Sequence, residues 1–339
     1  MHTELLTSAE AFDGLADEWQ SLLERSVVSS VFLTWPWQRT WWQHLGRGDL
    51  LLITVRDDAG QLVGIAPLFL QTTSLGLRQL SLVGCVDVSD YLDLIVDRQC
   101  ADLVYGNIWD ALAGPECPPW HEISLCNLPQ ASATPARLGE LAQRSGFAAT
   151  VSVTDVCPVI ALPSSWDDYL ASLDKKQRHE LRRKMRRVKE EAQSRWYAVE
   201  GGASLPQDVE SFIDLHQKST AEKEDFWDDA MKGFFRAIAA SLSELGWLKL
   251  CFIELNGVRA ASVFCFDHRN EILVYNSGYD PAQFAALSPG IVLVGYCIEH
   301  AIQLGRTRFD FLRGDEEYKF RFGAIPEPVS RLHILRSPQ

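Results

Sequence analysis

The densest group of potentially reactive side chains lies near the end of the chain, in residues 308–323. An apolar strand pattern is followed there by a polar segment around Gly314, where the chain is expected to reverse. Carboxylate, guanidinium, phenol and ammonium groups in one such segment can transfer protons and bind charged substrates. The candidate catalytic residues are Asp310, Arg313, Asp315, Tyr318 and Lys319. A structural interpretation stays open, in which the carboxylate between two Phe residues is buried and pairs with a nearby arginine.

A turn suited to an anion precedes this group. A strand pattern over residues 271–278 is followed by Ser288-Pro289-Gly290, and a helical pattern then begins at Ile291. Pro and Gly at a helix start leave backbone N–H groups free, and the helix dipole favours negative charge there. Many α/β proteins hold a phosphorylated cofactor with this order of strand, turn, helix and strand. The same tripeptide also fits an ordinary helix start that binds no ligand.

A basic segment stands out because the chain as a whole is acidic. The 339 residues carry 32 Lys/Arg and 45 Asp/Glu, a formal charge of −13, which argues against a DNA-binding protein or a general nucleic-acid binder. Residues 175–189 nevertheless contain nine Lys/Arg and one Glu. Their apolar spacing predicts a helix, with Arg178, Arg182 and Arg186 on one face. Two interpretations stay open: a solvated helix that meets the acidic remainder, or a helix that binds an anion.

Two β-hairpins about 200 residues apart indicate an internal repeat. The first has strand patterns over residues 50–55 and 62–70, and the second has residues 247–255 and 258–266 joined by an Asn-Gly pair. Asn-Gly is the strongest short hairpin signal. A third strand pattern follows each hairpin, and helical stretches flank both. The sequence therefore predicts two copies of one α/β (α+β) unit, each a mixed, mainly antiparallel sheet flanked by helices.

The boundary between the copies is expected near residues 158–163, which gives domains of residues 1–160 and 161–339. Two domains also agree with the usual domain size of about 100–200 residues. Just after the boundary, Ser164, Ser165 and two aspartates provide N-capping chemistry. The helical pattern that they open continues as far as residue 192, through the basic segment.

The composition is that of a globular protein, with 47% hydrophobic and 23% charged residues. The longest apolar runs are shorter than the about 20 residues that span a bilayer, and no signal-peptide pattern is visible at the start. The eight cysteines are scattered without a C-x-x-C pair, so neither a zinc site nor a disulfide framework is indicated. We expect a cytoplasmic protein with no transmembrane segment and no metal.

Several motifs together resemble the GNAT-type acyltransferases of the CelD-like group, described as cellulose-biosynthesis-associated acetyltransferases and related to FemAB-like peptidyltransferases. The resemblance is carried by a Trp-rich start, a hairpin ending in GIAPL, the K-x-x-R-x-x-L-R-R pattern of the basic segment, FIDLHQKS, NSGYDP, SPG and FDFLRGDEEYKFRFG. These motifs span most of the chain, and the last block with SPG is the most specific. The resemblance implies two tandem GNAT-like domains, of which the first is degenerate.

The resemblance also implies transfer of an acyl group, usually from acetyl-CoA or another acyl-CoA, to an amine or hydroxyl of a small-molecule or glycan acceptor. By position, the cofactor-binding candidates are Asn276, Ser277, Gly278, Ser288, Pro289, Gly290 and Ile291. The substrate-binding candidates are Arg178, Arg182, His216 and Tyr279. The chain has L-S-P-G-I where ordinary acetyltransferases have a fuller Q/R-x-x-G-x-G/A signature.

The hypothesis for the mechanism is direct transfer without a covalent enzyme intermediate. A backbone N–H of residues 276–279 would polarise the acyl carbonyl, and Tyr318 would protonate the leaving thiolate. Asp310 or Asp315 would accept the amine proton, while Lys319 and Arg313 would hold anionic groups. Two alternatives stay open. One is a FemAB-like transferase that uses aminoacyl-tRNA, with the basic helix as the tRNA contact, and the other is a non-catalytic binding module of a polysaccharide-assembly system.

Overall fold

A computed structural model of the protein describes residues 1–85 and 88–336. The chain forms two compact units: unit 1 is Met1–Asp155 together with the segment that begins at Glu327, and unit 2 is Val156–Pro326. The sequence-based boundary at residue 160 lies close to the first change of unit. The last segment differs from that division, because its strand hydrogen-bonds to a strand of unit 1.

Unit 1 consists of a sheet flanked by helices. In chain order its elements are β1 (His2–Leu6), α1 (Ala11–Arg25), α2 (Trp35–Leu45), β2 (Asp49–Arg56), β3 (Leu62–Thr72), β4 (Arg78–Leu82), β5 (Ile95–Val96), α3 (Ala101–Ala113), β6 (Glu122–Pro129) and α4 (Thr134–Arg144). The next strand, β7 (Ala148–Ala161), crosses the boundary into unit 2.

Unit 2 begins with helices and then repeats the same succession of elements. They are α5 (Trp166–Ser172), α6 (Lys175–Glu191), β8 (Ser194–Val199), α7 (Leu205–Ser219), α8 (Ala221–Asp225), α9 (Asp229–Glu244), β9 (Leu248–Leu255), β10 (Val258–His268), β11 (Glu271–Tyr279), α10 (Pro289–Gln303), β12 (Arg308–Asp310) and α11 (Glu317–Arg321). The last strand, β13 (Ile325–Leu335), leads back to unit 1.

Each unit has a mainly antiparallel sheet that contains one parallel pair. The strand order is β1-β2-β3-β4-β6-β13 in unit 1, with β5 beside β3, and β7-β12-β11-β10-β9-β8 in unit 2. The parallel pairs are β4 with β6 and β11 with β12. Both predicted hairpins are present, as β2–β3 and β9–β10. The predicted mixed α/β fold with two copies of one unit is therefore confirmed.

The sheet of unit 2 separates two apolar layers. Buried residues of α6 and α10 cluster with Val263 and Cys265 of β10. On the other side, Phe212 of α7 and Phe235 of α9 contact Phe264 edge to face. Successive residues of a strand point to opposite faces of the sheet. We call the two sides the α10 face and the α7 face.

The basic segment forms a separate helix, where the sequence predicts one continuous helix from residue 164 to residue 192. The side chain of Asp174 accepts a hydrogen bond from the backbone N–H of Gln177 at 2.8 Å, and the Gln177 side chain accepts from the N–H of Asp174. This reciprocal capping box starts a new helix at Lys175. Leu181 and Val188 are buried, as the periodicity predicts.

The cysteines differ in part from the prediction. Cys251 and Cys265 are buried in the core of unit 2, as expected. In unit 1, however, Cys85 and Cys126 form a disulfide bond, which corrects the expectation that disulfides are absent. Their separation of 41 residues matches no recognisable spacing, because the fold alone brings them together.

One helical stretch among the described residues, Ala285–Gln303, is long and apolar enough to cross a membrane by length and composition. Its apolar window is 61% buried inside the protein. Val292, Leu293 and Ile298 of α10 are fully buried in the core of unit 2. The core position therefore accounts for the apolar composition of this helix.

Candidate active site

The open end of β11 forms the centre of the candidate site. The pairing with β12 covers only residues 271–273, and β11 then continues beside β10 to Tyr279. Over residues 274–279 the edge of β11 that faces away from β10 has no strand partner in the described chain. The register with β10 also shifts next to Phe264, which leaves Tyr275 as an extra residue. Such a β-bulge bends a strand, and here the strand bends where its neighbour ends.

The start of α10 carries no side-chain cap. Ser288 is the N-cap residue with a φ of 51°, and Pro289 has no N–H group to donate. Lys184 of α6 donates to the Oγ of Ser288 at 2.9 Å, so an ammonium group lies directly beside the helix start. A Cβ built on Gly290 would meet no atom within 4 Å. A phosphate group suits this helix start, because it would meet free backbone N–H groups, the positive end of the helix dipole and a cation in open space.

A cavity of about 340 Å³ lies between the end of β11 and the start of α10. Most of its wall is apolar, with Pro281, Ala285 and Val294 beside the predicted site residues. Eight predicted residues line it: Ser277, Gly278, Tyr279, Ser288, Pro289, Gly290, Ile291 and Tyr318. The sequence thus identifies the main components of this cavity.

Tyr318 and Ile291 form a wall between this cavity and a second one of about 560 Å³. The second cavity lies among α6, α10 and α11, and three basic and three acidic residues line it: Lys176, Lys184, Arg321, Asp174, Glu180 and Glu317. Burial and then the charge of Glu316 raise the pKa of the Tyr318 phenol, and the neighbouring Ser277 side chain opposes this shift. The hydroxyl group therefore stays protonated at neutral pH and can donate its proton.

His216 and Asn276 contact each other on the α7 face and do not line either cavity. The Nδ1 atom of His216 accepts a hydrogen bond from the indole of Trp227 at 3.0 Å. The proton is therefore on Nε2, which donates to the Oδ1 of Asn276 at 3.1 Å. Burial, together with the positive charge of Lys223, lowers the pKa of His216 to about 3. These two predicted ligand-binding residues form a neutral contact that holds α7 against β11.

Asp310 stabilises the turn that follows β12. It is 1% exposed, and one carboxylate oxygen accepts a hydrogen bond from the N–H of Leu312 at 2.7 Å. Leu312 has a φ of 55°, an uncommon conformation for a branched residue that this hydrogen bond supports. Asp315 lies further along the turn and is exposed. Burial and this hydrogen bond give Asp310 a structural role in the turn.

Lys319 lies inside the same turn and is 3% exposed. Its ammonium group donates to three consecutive carbonyl groups, those of Leu312, Arg313 and Gly314, at 3.3, 2.8 and 3.2 Å. It also pairs with Glu316 at 2.8 Å. Lys319 lines neither of the two cavities. Asp310 and Lys319 therefore position the turn that carries Tyr318 into the cavity wall.

The basic helix contributes a residue that the sequence analysis does not single out. Arg178 donates weakly, at 3.4 Å, to two carbonyl groups at the end of α5, and Arg182 is exposed. Lys184 is the cation that reaches the start of α10. It lies three residues after Leu181 and four before Val188, both of which are buried. Helical spacing places all three on the inward side of α6, and this signal could have identified Lys184.

Comparison with known proteins agrees with this geometry. Residues 175–320 match the family model of the acetyltransferase (GNAT) domain. The crystal structure of FemX has a TM-score of 0.65 at 11% identity and covers 98% of this chain and 97% of FemX. L-PGS from Bacillus licheniformis has a TM-score of 0.57 at 10% identity, with 95% and 92% of the two chains covered. No curated protein matches the chain.

The protein has a GNAT-like fold, which it shares with FemX, and residues 175–320 are similar to the acetyltransferase (GNAT) domain. A fold and a domain of this kind indicate an acyltransferase. At 10–11% identity the solved structures show the shared fold alone. The narrower resemblance to the CelD-like group stays a prediction. Within residues 1–85 and 88–336, no group of three or more His, Cys, Asp or Glu side chains is arranged to hold a metal ion.

Proposed function

We propose that the protein transfers an acyl group from acyl-CoA to an amine of a small-molecule or glycan acceptor. The start of α10 is the observation that carries this proposal, because free N–H groups and Lys184 meet open space over Gly290 there. This turn suits the pyrophosphate of the donor. The apolar cavity beside it suits the pantetheine arm and the acyl group. The larger cavity beyond Tyr318 receives the nucleotide end.

The proposed reaction is a direct transfer. A neutral acceptor amine attacks the carbonyl carbon, the new C–N bond forms, and the C–S bond then breaks. Tyr318, which lines the cavity proposed for the acyl group, gives its phenolic proton to the departing sulfur. Asp310 and Lys319 contribute by holding the turn from which Tyr318 projects.

The charges on α6 bear on the choice between acyl-CoA and aminoacyl-tRNA as the donor. Three arginines of this helix form ion pairs with glutamates about one turn away: Arg183–Glu180 at 2.8 Å, Arg186–Glu190 at 3.6 Å and Arg187–Glu191 at 2.7 Å. Because α6 holds nine Lys/Arg and three Glu, these pairs leave it with a formal charge of +6. An extended RNA backbone binds through cations that neutralise many phosphates, so the salt dependence of binding decides between the two donors.

Calorimetric titration with acetyl-CoA and longer acyl-CoAs tests the proposal. Gly290→Asp places a carboxylate where the pyrophosphate lies, so we expect affinity to fall about tenfold or more, equivalent to about 1.4 kcal/mol. Gly290→Asn, which has the same shape without the charge, should keep most of the affinity. If wild-type protein binds no acyl-CoA, the proposal is wrong. Binding of aminoacyl-tRNA that weakens steeply with salt would support the alternative donor.

A further inference from the structure

Lys223 brings a positive charge to the open edge of β11. It lies in α8, where its backbone N–H donates to the side chain of Thr220, which caps the helix. Its ammonium group donates to the backbone carbonyl oxygen of Ser277 at 2.5 Å. None of the motif-based candidates includes this residue, because the contact joins positions 54 apart in the chain.

The contact occurs on the edge that β12 leaves open. In a β-strand, the backbone groups of residues two apart point to the same edge. Ser277 and Tyr279 therefore share an edge, and the N–H of Tyr279 donates to the Oγ of Ser219 at 2.9 Å. The backbone N–H of Asp280 points to the opposite edge and donates to the carbonyl oxygen of Ala260 in β10. Lys223 and Ser219 thus occupy the edge at which a strand partner is missing.

Two proton donors converge on Ser277. Tyr318 lines the same apolar cavity as Ser277, the cavity proposed for the acyl group. Lys223 is not among the lining residues, and its ammonium group reaches this wall through the carbonyl oxygen of Ser277. An acyl transfer needs two such donors close to one carbonyl carbon, an acid for the leaving atom and a hydrogen-bond donor for the carbonyl oxygen.

Lys223 is a partly buried ammonium group with two charged neighbours. Glu316 and Lys319 are the charged groups that act on it, and these two form a salt bridge with each other at 2.8 Å. Burial lowers the pKa of Lys223, whereas the charge of Glu316 raises it and that of Lys319, a smaller effect, lowers it. A negative charge that develops beside this partly desolvated ammonium group is therefore stabilised more than it would be in water.

We propose that Lys223 is a further catalytic residue, whose ammonium group donates a hydrogen bond to the acyl carbonyl oxygen of the donor. This inference rests on the proposed function. When the acceptor amine attacks, the C–N bond forms and the carbonyl electron pair moves to oxygen, where Lys223 stabilises the charge. The carbonyl then re-forms, the C–S bond breaks, and sulfur takes the proton of Tyr318. The nitrogen loses its extra proton to water, and solvent returns a proton to Tyr318, so atoms and charges balance.

Isotope-edited infrared spectroscopy tests this contact in the whole protein. Acetyl-CoA with a ¹³C-labelled carbonyl should show a lower carbonyl stretching frequency when bound than when free, because a charged donor polarises the bond. Lys223→Met should remove most of that shift. The matched control is Lys218→Met, which removes an exposed lysine whose partner is Asp214, 2.6 Å away, and which should leave the shift unchanged.

Turnover gives a second readout, with hydroxylamine as a small acceptor and thiol release from acetyl-CoA as the signal. We expect Lys223→Met to lower kcat about 10²–10³-fold, as for loss of an oxyanion donor, with the acetyl-CoA dissociation constant within threefold of wild type. Bound acetyl-CoA without a frequency shift overturns the role of Lys223 alone, as does a loss of affinity without a loss of kcat. No binding of acetyl-CoA by the wild-type protein overturns the proposed function, and this role with it.

Discussion

The two units share one order of elements and differ at the same place, beside the parallel strand pair. In unit 2, β11 extends six residues past its last residue paired with β12, and the edge stays open. In unit 1, β4 ends one residue after its last parallel pair, Ser81 with Ser124. The Cys85–Cys126 disulfide joins the two chain segments just beyond that pair. One copy of the fold is therefore open where the other is closed.

In unit 1 a loop pairs with β6, the strand that corresponds to β12 of unit 2. The N–H of Leu92 donates to the carbonyl oxygen of Asn127 at 3.0 Å, and the Asn127 side chain donates to the carbonyl of Ser89 at 2.6 Å. The adjacent Asp93 is 2% exposed and accepts hydrogen bonds from Thr134 and from its neighbour in the chain. No equivalent of the Ser-Pro-Gly turn precedes α3, which begins after Cys100. At the corresponding position of unit 2, side chains of Lys223 and Ser219 hydrogen-bond to the backbone of β11 in place of a strand.

The largest effect that we predict concerns the turn that keeps the edge of β11 open. Lys319→Met removes an ammonium group that satisfies three carbonyl groups and pairs with Glu316. We expect a loss of about 3 kcal/mol in the free energy of unfolding, because buried polar groups lose their partner. Urea unfolding measures this loss. Arg321→Met, which removes one partner of an exposed pair with Glu317, should change stability little.

The activity of these variants separates a positioning role from a direct one. Tyr318→Phe should fold as stably as wild type and still lose turnover, because it removes the proposed acid. A Lys319→Met protein with wild-type stability and no activity would contradict the positioning role. That result would instead support the sequence-based hypothesis, in which Lys319 acts on the substrate.

Much of this architecture could be predicted from local patterns. The hairpins follow from strand periodicity with turn residues between, and the start of α10 follows from Ser-Pro-Gly before an apolar stretch. Tyr318 and the residues of the β11 end also come from contiguous motifs, and the structure places them around one cavity. Local signals suffice for these features because the residues that determine them are close together in the chain.

The features that the sequence analysis does not predict depend on contacts between distant residues. Lys184 meets Ser288 across 104 positions, and Lys223 meets Ser277 across 54. The positive charge of Lys319 alone predicts that it binds anionic groups. The path of the chain after β12 instead directs its side chain to the carbonyl groups of the turn. His216 is predicted to bind substrate, and in the fold its two ring nitrogens hydrogen-bond with Trp227 and Asn276. Residue type indicates possible chemistry, whereas burial and partners decide whether a side chain is free to perform it.

A smaller effect is expected where α7 packs against the open strand. A Cβ on Gly278 would lie 2.4 Å from the backbone nitrogen and 2.6 Å from the Cα of His216. Gly278→Ala should therefore cost about 2 kcal/mol of stability, within the usual range for overpacking. Gly290→Ala is the matched control, because its new methyl group meets no atom within 4 Å. Equal stability of the two variants in urea unfolding would contradict the close packing of α7 on β11.

The smallest predicted effect is a difference between the two units in how stability depends on pH. Each unit buries a titratable group with a displaced pKa, and the two displacements have opposite signs. Burial raises the pKa of Asp93 in unit 1 from 3.8 to about 6, although hydrogen bonds from Thr134 and Ser132 oppose the shift. Burial lowers the pKa of His216 in unit 2 from 6.5 to about 3. Between pH 7 and pH 5, folded unit 1 takes up a proton at Asp93 that the unfolded chain does not bind. In the same interval the unfolded chain binds a proton at His216 that folded unit 2 excludes.

Linkage gives the two contributions opposite signs. On lowering the pH from 7 to 5, protonation of Asp93 stabilises the folded state by about 1 kcal/mol, and protonation of unfolded His216 destabilises it by about 2 kcal/mol. Relative to wild type, Asp93→Asn should thus be more stable at pH 7 than at pH 5, whereas His216→Gln should recover part of its deficit at pH 5. Urea unfolding at both pH values measures these differences. If the difference in unfolding free energy between a variant and wild type is independent of pH, the replaced residue has the same pKa in the folded and the unfolded chain. The contrast between the closed and the open unit would then not extend to their buried titratable groups.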